Sequence, residues 1–404
     1  MPTRLVISAA ALGVLALTLT ACVPNNTGDA ADALTVSITD DTCAVSADTT
    51  VAGAVTFTAT NTGSDVNEFE ILADDKLRIV GEKENITAGS TVDYVADLAP
   101  GTYYTACKFR QVGAPIGLAE FTVTGEAAAV SADEQELSDA AVANYIAYVK
   151  SQAGELIPAV EAFVAAYVAG DDETARGLFA ITRSYYERIE PTAEAFGDLD
   201  PKIDYREVDA VAEGLDWTGF HRIEKDLWVP AEDALNSDGA SAWIDWEPST
   251  EAQRAEFGQQ LVDDVQSLYD LVYADDFTVS LADISNGAIG LLDEVAAGKI
   301  TGEEDWWSGT DLTDFAANVQ GAEVAFGNVI PVAEATGDEG TALVEDIQAE
   351  FDAMEELLAE YGSIEDGFTN YADLSTQDKK DLSDQVNALS EPLSNLTHTV
   401  LGVS

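Results

Sequence analysis

Basic residues are scarce in this chain of 404 residues, and their scarcity excludes one class of partner. Lysine and arginine number 18 against 75 aspartates and glutamates, which gives a formal net charge of −57. A surface with this balance repels the phosphate backbone of nucleic acids, so no nucleic-acid partner is expected. The acids are spread over most of the chain, and a solvated acidic surface accounts for most of them.

Histidine and methionine are equally rare, with two of each. Neither occurs between residues 34 and 125, where two of the three cysteines lie. A blue-copper electron-transfer site needs two imidazoles beside a thiolate, usually with an axial methionine, so this segment cannot hold one. A zinc peptidase of the His-Glu-x-x-His type needs two imidazoles on one helix, which His221 and the distant His398 do not provide. His398 is predicted to pack or to face solvent.

The N-terminus has the pattern of a targeting segment. Arg4 precedes an apolar run that is too short for a good membrane span, and a small-residue cleavage pattern follows and ends in Cys22. This pattern resembles the lipobox of bacterial lipoproteins. It predicts a signal peptide over residues 1–21 and a tether over residues 22–33. A lipidated Cys22 is expected to anchor the mature protein to the cell membrane on its extracytoplasmic side.

Residues 34–125 have the pattern of short β-strands. Alternating segments such as 34–38, 55–60 and 120–124 are separated by clusters of turn residues. Strands at this spacing in under a hundred residues predict a small antiparallel β-sandwich. Because an extracytoplasmic compartment is oxidising, Cys43 and Cys107 are expected either to form a disulfide or to share a metal.

Residues 126–136 are small and acidic and are predicted to form a linker. From residue 137 to residue 404 the apolar residues recur with helical period, and short Gly- and Asp-rich breaks separate the segments. Long helices with short connections predict an antiparallel helix bundle. The predicted fold class is therefore multidomain α+β, with a β-sandwich followed by an all-α bundle.

One predicted helix carries a polar pair in an apolar stripe. His221 and Glu224 are three residues apart and share a face, while Trp217, Phe220 and Leu227 supply apolar neighbours. Two interpretations remain open at this point. The pair is either a buried histidine satisfied by a carboxylate, or two metal ligands completed by acids from other helices.

Acidic clusters elsewhere in the bundle could complete such a site. The candidate ligands are Glu187 and Glu190, which share a helix face, Asp204 in the next segment, and Glu303 in a later Gly-Glu-Glu-Asp run. One imidazole among several carboxylates is the kind of ligand set that iron or manganese uses. Each cluster taken singly is also consistent with solvated charge or with an Arg–carboxylate pair.

Several motifs in order resemble two known families. The segment from Leu98 to Cys107 is similar to the last hairpin of a cupredoxin. The segments 186–191, 219–224, 302–305 and 311–318 closely resemble the imelysin-like family. With a cupredoxin-like domain in front of an imelysin-like bundle, the chain is similar to extracytoplasmic components of bacterial iron-uptake systems.

The resemblance implies specific residues and partners. It implies iron, as Fe²⁺ or Fe³⁺, bound by the Gly-x-His-x-x-Glu motif, here His221 and Glu224. It also implies a second site for copper or iron, formed by Cys43, Cys107 and a glutamate such as Glu68 or Glu84. The implied partners are an iron permease and a haem peroxidase of the same uptake system.

The sequence therefore predicts a non-enzymatic lipoprotein that captures iron outside the membrane and passes it to a permease. Two alternatives remain open. One is a metal-dependent redox protein with ferroxidase-like chemistry, and the other is a surface interaction protein without a metal. The peptidase label attached to the imelysin-like family is disfavoured because a second imidazole and a nucleophile triad are both missing.

Overall fold

A computed structural model describes residues 33–403 of the chain. The predicted signal peptide and the predicted lipidation of Cys22 lie outside these residues. The described part consists of a β-rich region followed by a long α-helical region, which confirms the predicted fold class. Within residues 33–403, no helix is long and apolar enough to cross a membrane.

The front region is a sandwich of two sheets. One sheet has the strand order β2-β1-β4-β7, and the other has the order β3-β9-β8-β5-β6. The strands are β1 (Leu34–Ile38), β2 (Cys43–Val45), β3 (Thr49–Val51), β4 (Gly53–Asn61), β5 (Asn67–Leu72), β6 (Ile79–Ile86), β7 (Thr91–Leu98), β8 (Gly101–Phe109) and β9 (Ile116–Thr124). Alternate side chains of β1 and β4 are buried, as expected for strands that cover one face of a core.

The pairing of the strands differs from the prediction in one respect. The sandwich was expected to be antiparallel, but β1 pairs with β4 and β3 pairs with β9 in parallel. Both parallel pairs arise because a short strand is added beside a strand that lies far from it along the chain. Alternation within a strand predicts which face is buried, but it does not determine which neighbour the strand has.

Cys43 and Cys107 form a disulfide in the core of the sandwich. Of the two alternatives left open by the sequence, the structure has the disulfide. The implied ligation of a metal by Cys43 and Cys107 is therefore corrected, because disulfide sulfurs are not thiolates. The bond joins the start of β2 to the C-terminal part of β8 and therefore connects the two sheets. Its surroundings are apolar, with Phe57, Phe69 and Phe121 in the same cluster.

The helical region begins within the predicted linker. Helix α1 starts at Ala132, because Ser131 and Glu134 form a capping box that satisfies the first backbone amides. The helices are α1 (Ala132–Ala169), α2 (Asp172–Glu187), α3 (Glu190–Glu194), α4 (Asp200–Ile203), α5 (Glu207–Glu213), α6 (Gly219–Leu227), α7 (Glu251–Val272), α8 (Leu281–Ala297), α9 (Asp311–Ala335), α10 (Asp338–Leu358), α11 (Thr376–Leu393) and α12 (Leu396–Leu401). A small hairpin of β10 (Gly362–Ser363) and β11 (Gly367–Phe368) lies between α10 and α11.

Helices α1, α2, α7, α8 and α9 pack around one apolar core. Short elements from α3 to α6 cover one end of this core, and Phe163, Phe179 and Phe220 meet there. The apolar face of α6 is therefore held against α1 and α2. This packing fixes the position of the helix that carries His221.

The sandwich also contacts the helical region directly. Asn286 on α8 donates a hydrogen bond of 2.8 Å to the backbone oxygen of Val95 on β7. Lys83 on β6 forms an ion pair with Asp293 on α8. These contacts place β7 beside the N-terminal half of α8 and β6 beside its C-terminal half.

Candidate metal centre

Helix α6 is short, and all nine of its residues are buried. Its first residue, Gly219, has a φ of 81°. A Cβ atom at this position would lie 2.2 Å from the backbone oxygen of Ile203. Only glycine accommodates both the positive φ and this close approach, and the approach brings α6 against the segment that carries Asp204.

His221 is 2% exposed, and its imidazole is surrounded by carboxylates. Its Nδ1 lies 3.3 Å from Oε2 of Glu224, and its Nε2 lies 3.2 Å from Oε1 of Glu304. Oδ1 of Asp204 lies 3.5 Å from Nε2, and Oδ1 of Asp305 lies 3.8 Å from Nδ1. Both ring nitrogens therefore face oxygen atoms that could share a cation with them.

Glu224 is held in place by backbone amides. Its Oε1 accepts hydrogen bonds of 3.0 Å from the amide of Trp307 and 2.7 Å from the amide of Ser308. Its other oxygen, Oε2, is the atom that faces His221. A carboxylate with one oxygen fixed in this way presents the second oxygen in a defined position, which is how outer contacts orient metal ligands.

The run from Gly302 to Asp305 places two acids beside His221, but neither of them is Glu303, the residue that the sequence predicted. The side chain of Glu303 is 47% exposed and lies 4.0 Å from Arg206, and it is not among the carboxylates within 4.0 Å of the imidazole of His221. Glu304 and Asp305, its successors, face the imidazole instead. The prediction took Glu303 from this run without a spacing argument. The segment is a turn, so a helical period of 3.6 does not tell which of its adjacent acids faces a given neighbour.

Two fully buried bases lie among the acids. Arg183 is within 3.5 Å of carboxylate oxygens of Glu304, Asp305 and Asp314 and also pairs with Glu187 and Asp204. Arg183 therefore connects the predicted acids of α2 and of the Asp204 segment to the later acidic run.

Lys299 occupies the opposite side of the cluster. Its Nζ lies 3.1 Å from Glu187 and 3.0 Å from Glu190. Asn318 also donates hydrogen bonds to both glutamates. Glu187 and Glu190 are thus brought into the cluster as predicted, but Arg183 and Lys299 are their direct partners and His221 is not.

The local electrostatics differ between the acids. Burial raises the pKa of Asp305 and Asp314 well above the usual range, although Arg183 lowers both. Burial also acts to raise the pKa of Glu304, but Lys299 and the hydrogen bond from His221 outweigh it and hold that pKa well below the usual range. Glu304 is therefore an ionised carboxylate at neutral pH, whereas burial favours the protonated form of Asp305 and Asp314.

The pKa of His221 is raised to about 10. Burial and the neighbouring Arg183 lower it, but hydrogen bonds to Glu224 and Glu304 and the charge of Asp204 have the larger combined effect. A protonated imidazole thus serves as a counter-ion for these acids. A metal that binds at either nitrogen must displace that proton.

Negative charge predominates in the cluster. Eight carboxylic groups and two permanent cations, Arg183 and Lys299, belong to it; the acids are Glu187, Glu190, Asp204, Glu224, Glu304, Asp305, Asp311 and Asp314. Three buried oxygens, Oδ1 of Asp305, Oδ2 of Asp311 and Oδ1 of Asp314, have no hydrogen-bond partner among residues 33–403. Buried oxygens that accept no hydrogen bond, beside one imidazole, form a donor set that suits a hard or borderline cation such as iron.

The second predicted site, in the sandwich, is not assembled as expected. Phe69 pairs with Cys107, and Glu68 pairs with Lys108. Because successive side chains of a strand point to opposite faces, Glu68 faces away from the disulfide. Glu68 and Glu84 instead line a cavity between the sandwich and the helical region.

Sequence reasoning found His221, Glu224 and Asp204 but missed several of their neighbours. Glu304 and Asp305 belong to the segment 302–305, which resembles an imelysin motif. Treating every acid of that segment as a candidate ligand would have included them. Lys299 gave no signal, because a lone lysine in an acidic segment looks like a surface residue. His398 lies on α12, partly buried, and belongs to none of the clusters of possible metal ligands in the described part of the chain.

Comparisons with known proteins agree with this architecture. A family model described as imelysin, peptidase M75, matches residues 141–396, and a model of the cupredoxin-like domain matches residues 10–116. The iron uptake system component EfeO of Escherichia coli O1:K1 is 37% identical over 372 residues, which are 91% of each chain. The EfeO proteins of Escherichia coli K12 and Shigella flexneri are 36% identical over the same shares. The predicted resemblance is therefore confirmed, and the chain belongs to the imelysin family, with the EfeO iron uptake components among its relatives.

Proposed function

We propose that this protein is the extracytoplasmic iron-binding component of a bacterial iron-uptake system. It captures iron at His221 and passes it to a membrane permease, with a haem peroxidase as a further partner of the same system. The relatives that carry the name of an iron uptake component support the general role. The observation that carries the specific proposal is the convergence of His221 with Asp204, Glu224, Glu304 and Asp305.

The chemistry of these groups supports binding rather than hydrolysis. Among the described residues, each cluster of possible metal ligands contains at most one histidine. Carboxylate oxygens with a single imidazole suit iron, whereas the zinc peptidases described above need two imidazoles and a glutamate base. The disulfide between Cys43 and Cys107 argues against the other alternative, a redox protein. It removes the thiolates that a redox-active copper in the sandwich would use.

The lipid anchor belongs to the same proposal. A carrier that is tethered at Cys22 would keep captured iron close to the permease. The acidic surface would raise the local cation concentration, although this effect is screened beyond about 8 Å at physiological ionic strength.

The test is calorimetric titration of the mature protein with Fe²⁺ under anaerobic conditions and with Fe³⁺ supplied as citrate. His221→Gln is expected to remove one binding event or weaken it at least a hundredfold, because the only imidazole of the centre is lost. The matched control is His398→Gln, which changes the other histidine of the chain and should bind iron like the wild type. Unchanged iron binding by His221→Gln would refute the site.

A second pair of variants tests the neighbouring acids. Glu304→Gln is expected to weaken iron binding at least tenfold, whereas Glu303→Gln should have a smaller effect because that side chain is 47% exposed and makes no contact within 4.0 Å with the imidazole of His221. The two residues are adjacent and lose the same charge. A difference between them therefore reports contact with the ion rather than the general field.

A further inference from the structure

Lys225 follows the candidate ligand Glu224 on α6 and is fully buried. An ammonium group in the interior costs free energy unless its partners compensate for the lost water, whereas an apolar side chain would fill the same space without this cost. Within residues 33–403 its only ion pair is with Glu207 on α5, and it donates a hydrogen bond of 3.3 Å to Asn236. The binding of iron at His221 assigns no role to this buried charge.

Three indole rings surround the ammonium group. Nζ of Lys225 lies 5.5 Å from the ring centroid of Trp217, 4.9 Å from that of Trp246 and 5.0 Å from that of Trp307. Each distance is within the range of about 6 Å over which a cation is attracted to the face of a ring. The three tryptophans come from separate segments that lie outside the helices and strands. Lys225 therefore holds three irregular segments against α6.

The contact with Trp307 connects Lys225 to the candidate metal centre. The amides of Trp307 and Ser308 donate the two hydrogen bonds that fix Oε1 of Glu224. Neighbouring residues on a helix point in different directions, and no carboxylate of the centre lies within 4.0 Å of this ammonium group in the described part of the chain. Any effect of Lys225 on a bound ion is therefore indirect and passes through the turn that holds Glu224.

A small cavity of about 20 Å³ borders both the ligands and the partners of Lys225. A cavity of this size holds about one water molecule, so the two groups of side chains are almost in contact. His221 and Glu224 contribute to its walls, and four partners of Lys225 contribute as well, namely Glu207, Trp217, Asn236 and Trp307. Movement of these partners would therefore change the immediate surroundings of the ligands.

We propose that Lys225 is a positioning residue for iron binding. Its charge, compensated by Glu207 and the three indole rings, fixes the Trp307–Ser308 turn and thereby the carboxylate of Glu224. This inference rests on the proposed function, because it concerns the ion bound at His221 and Glu224. Contacts that orient a metal ligand from outside typically change metal affinity about 10–100-fold when they are lost.

The sign of the effect distinguishes positioning from simple electrostatics. A positive charge near the centre repels an incoming cation, so its removal alone would tighten iron binding. Loss of the position of Glu224 would weaken it. Lys225→Met keeps an unbranched apolar stem and removes the charge, and we expect it to bind Fe²⁺ at least tenfold more weakly in anaerobic calorimetry of the full mature chain.

Two variants control for charge and for general loss of stability. Lys225→Arg keeps a positive charge that can contact the rings and should restore most of the affinity that Lys225→Met loses. Lys150→Met is the matched control, because Lys150 is partly buried and its Nζ lies 5.5 Å from the ring centroid of Tyr273, on α1 and beside α7. This variant should bind iron like the wild type.

Trp307→Leu tests the connection from its other end, because it removes the ring and keeps the backbone amide. It should weaken iron binding as Lys225→Met does, and the two changes together should weaken it no more than either change alone, as expected for residues that act through one contact. Trp306→Leu in the same turn should weaken binding less, because Trp306 is 41% exposed and its ring is not one of the three around Lys225. Additive losses would contradict the route through Trp307.

The outcomes separate this inference from the proposed function. If His221→Gln loses iron but Lys225→Met binds it as tightly as the wild type or more tightly, Lys225 does not position the ligand, although the site stands. Failure of Lys225→Arg to restore binding would show that the charge is not responsible, which also overturns the inference. If Lys225→Met does not fold, Trp307→Leu decides the question, and wild-type affinity in that variant would refute the proposal.

Discussion

Arg183 is the residue whose replacement most directly tests how the buried acids are held. Its guanidinium is fully buried and lies within 3.5 Å of Glu304, Asp305 and Asp314, besides its pairs with Glu187 and Asp204. At an effective dielectric constant of 20, a single pair at 3.0 Å corresponds to roughly 5 kcal/mol.

The five pairs cannot be added, because the carboxyl groups would take up protons when the arginine is lost. Breaking a buried pair by removing one partner typically costs about 3–5 kcal/mol. We therefore expect Arg183→Met to lower the free energy of unfolding by about 3–5 kcal/mol when iron is chelated. The same change removes a positive charge that repels an incoming cation, so iron is expected to bind about tenfold more tightly, or about 1.4 kcal/mol.

The assay is urea unfolding followed by tryptophan fluorescence, with and without iron. All six tryptophans lie in the helical region, so the signal reports that region alone. Lys380→Met is the control within the same region, since the side chain of Lys380 on α11 is 61% exposed and its surface pair with Asp384 contributes little to stability. If the free energy of unfolding of Arg183→Met lies within about 1 kcal/mol of the wild-type value and iron binds no more tightly, Arg183 is not the counter-charge of the centre.

Two further substitutions test parts of the structure outside the ligand set. Cys43→Ser/Cys107→Ser opens a loop with a sequence separation of 64 and should lower the free energy of unfolding by about 4 kcal/mol through chain entropy. The measurement is urea unfolding followed by circular dichroism. If this variant also lost bound iron, the two sulfurs would have to be counted as metal ligands after all. Gly219→Ala should cost about 1–3 kcal/mol and weaken iron binding, because its Cβ would meet the oxygen of Ile203, whereas Gly214→Ala shares the positive φ but meets nothing within 4 Å. Equal effects of the two glycine variants would show that the close approach does not matter.

The sequence predicted the parts of the fold that depend on local periodicity. Alternation in β1 and β4 and the helical period after residue 137 are both present in the structure. The parallel pairs β1–β4 and β3–β9 were not predictable in this way. Strand neighbours are determined by contacts between distant segments, which a pattern within one strand does not contain.

In the candidate centre, too, the residues that share one helix were predictable, whereas those brought together from distant segments were not. The pair of His221 and Glu224 follows from spacing on one helix, and the structure places both at the centre. Glu303 was predicted and Glu304 was not, because the sequence of a turn gives no basis for choosing between adjacent acids. Lys299 and the cavity lined by Glu68 and Glu84 could not be found from sequence, since each depends on elements that meet only after the chain has folded.

The partial compensation of charge in the centre bears on why such a site would suit a carrier. Eight acids without any base would oppose folding whenever no metal was bound, because each buried, unpaired carboxylate is costly. Complete compensation by built-in bases would leave no net attraction for a cation. Arg183 and Lys299 supply an intermediate amount of positive charge, and a proton on His221 adds to it. We therefore expect this protein to remain folded with or without a bound cation, as the proposed role of binding and releasing iron requires.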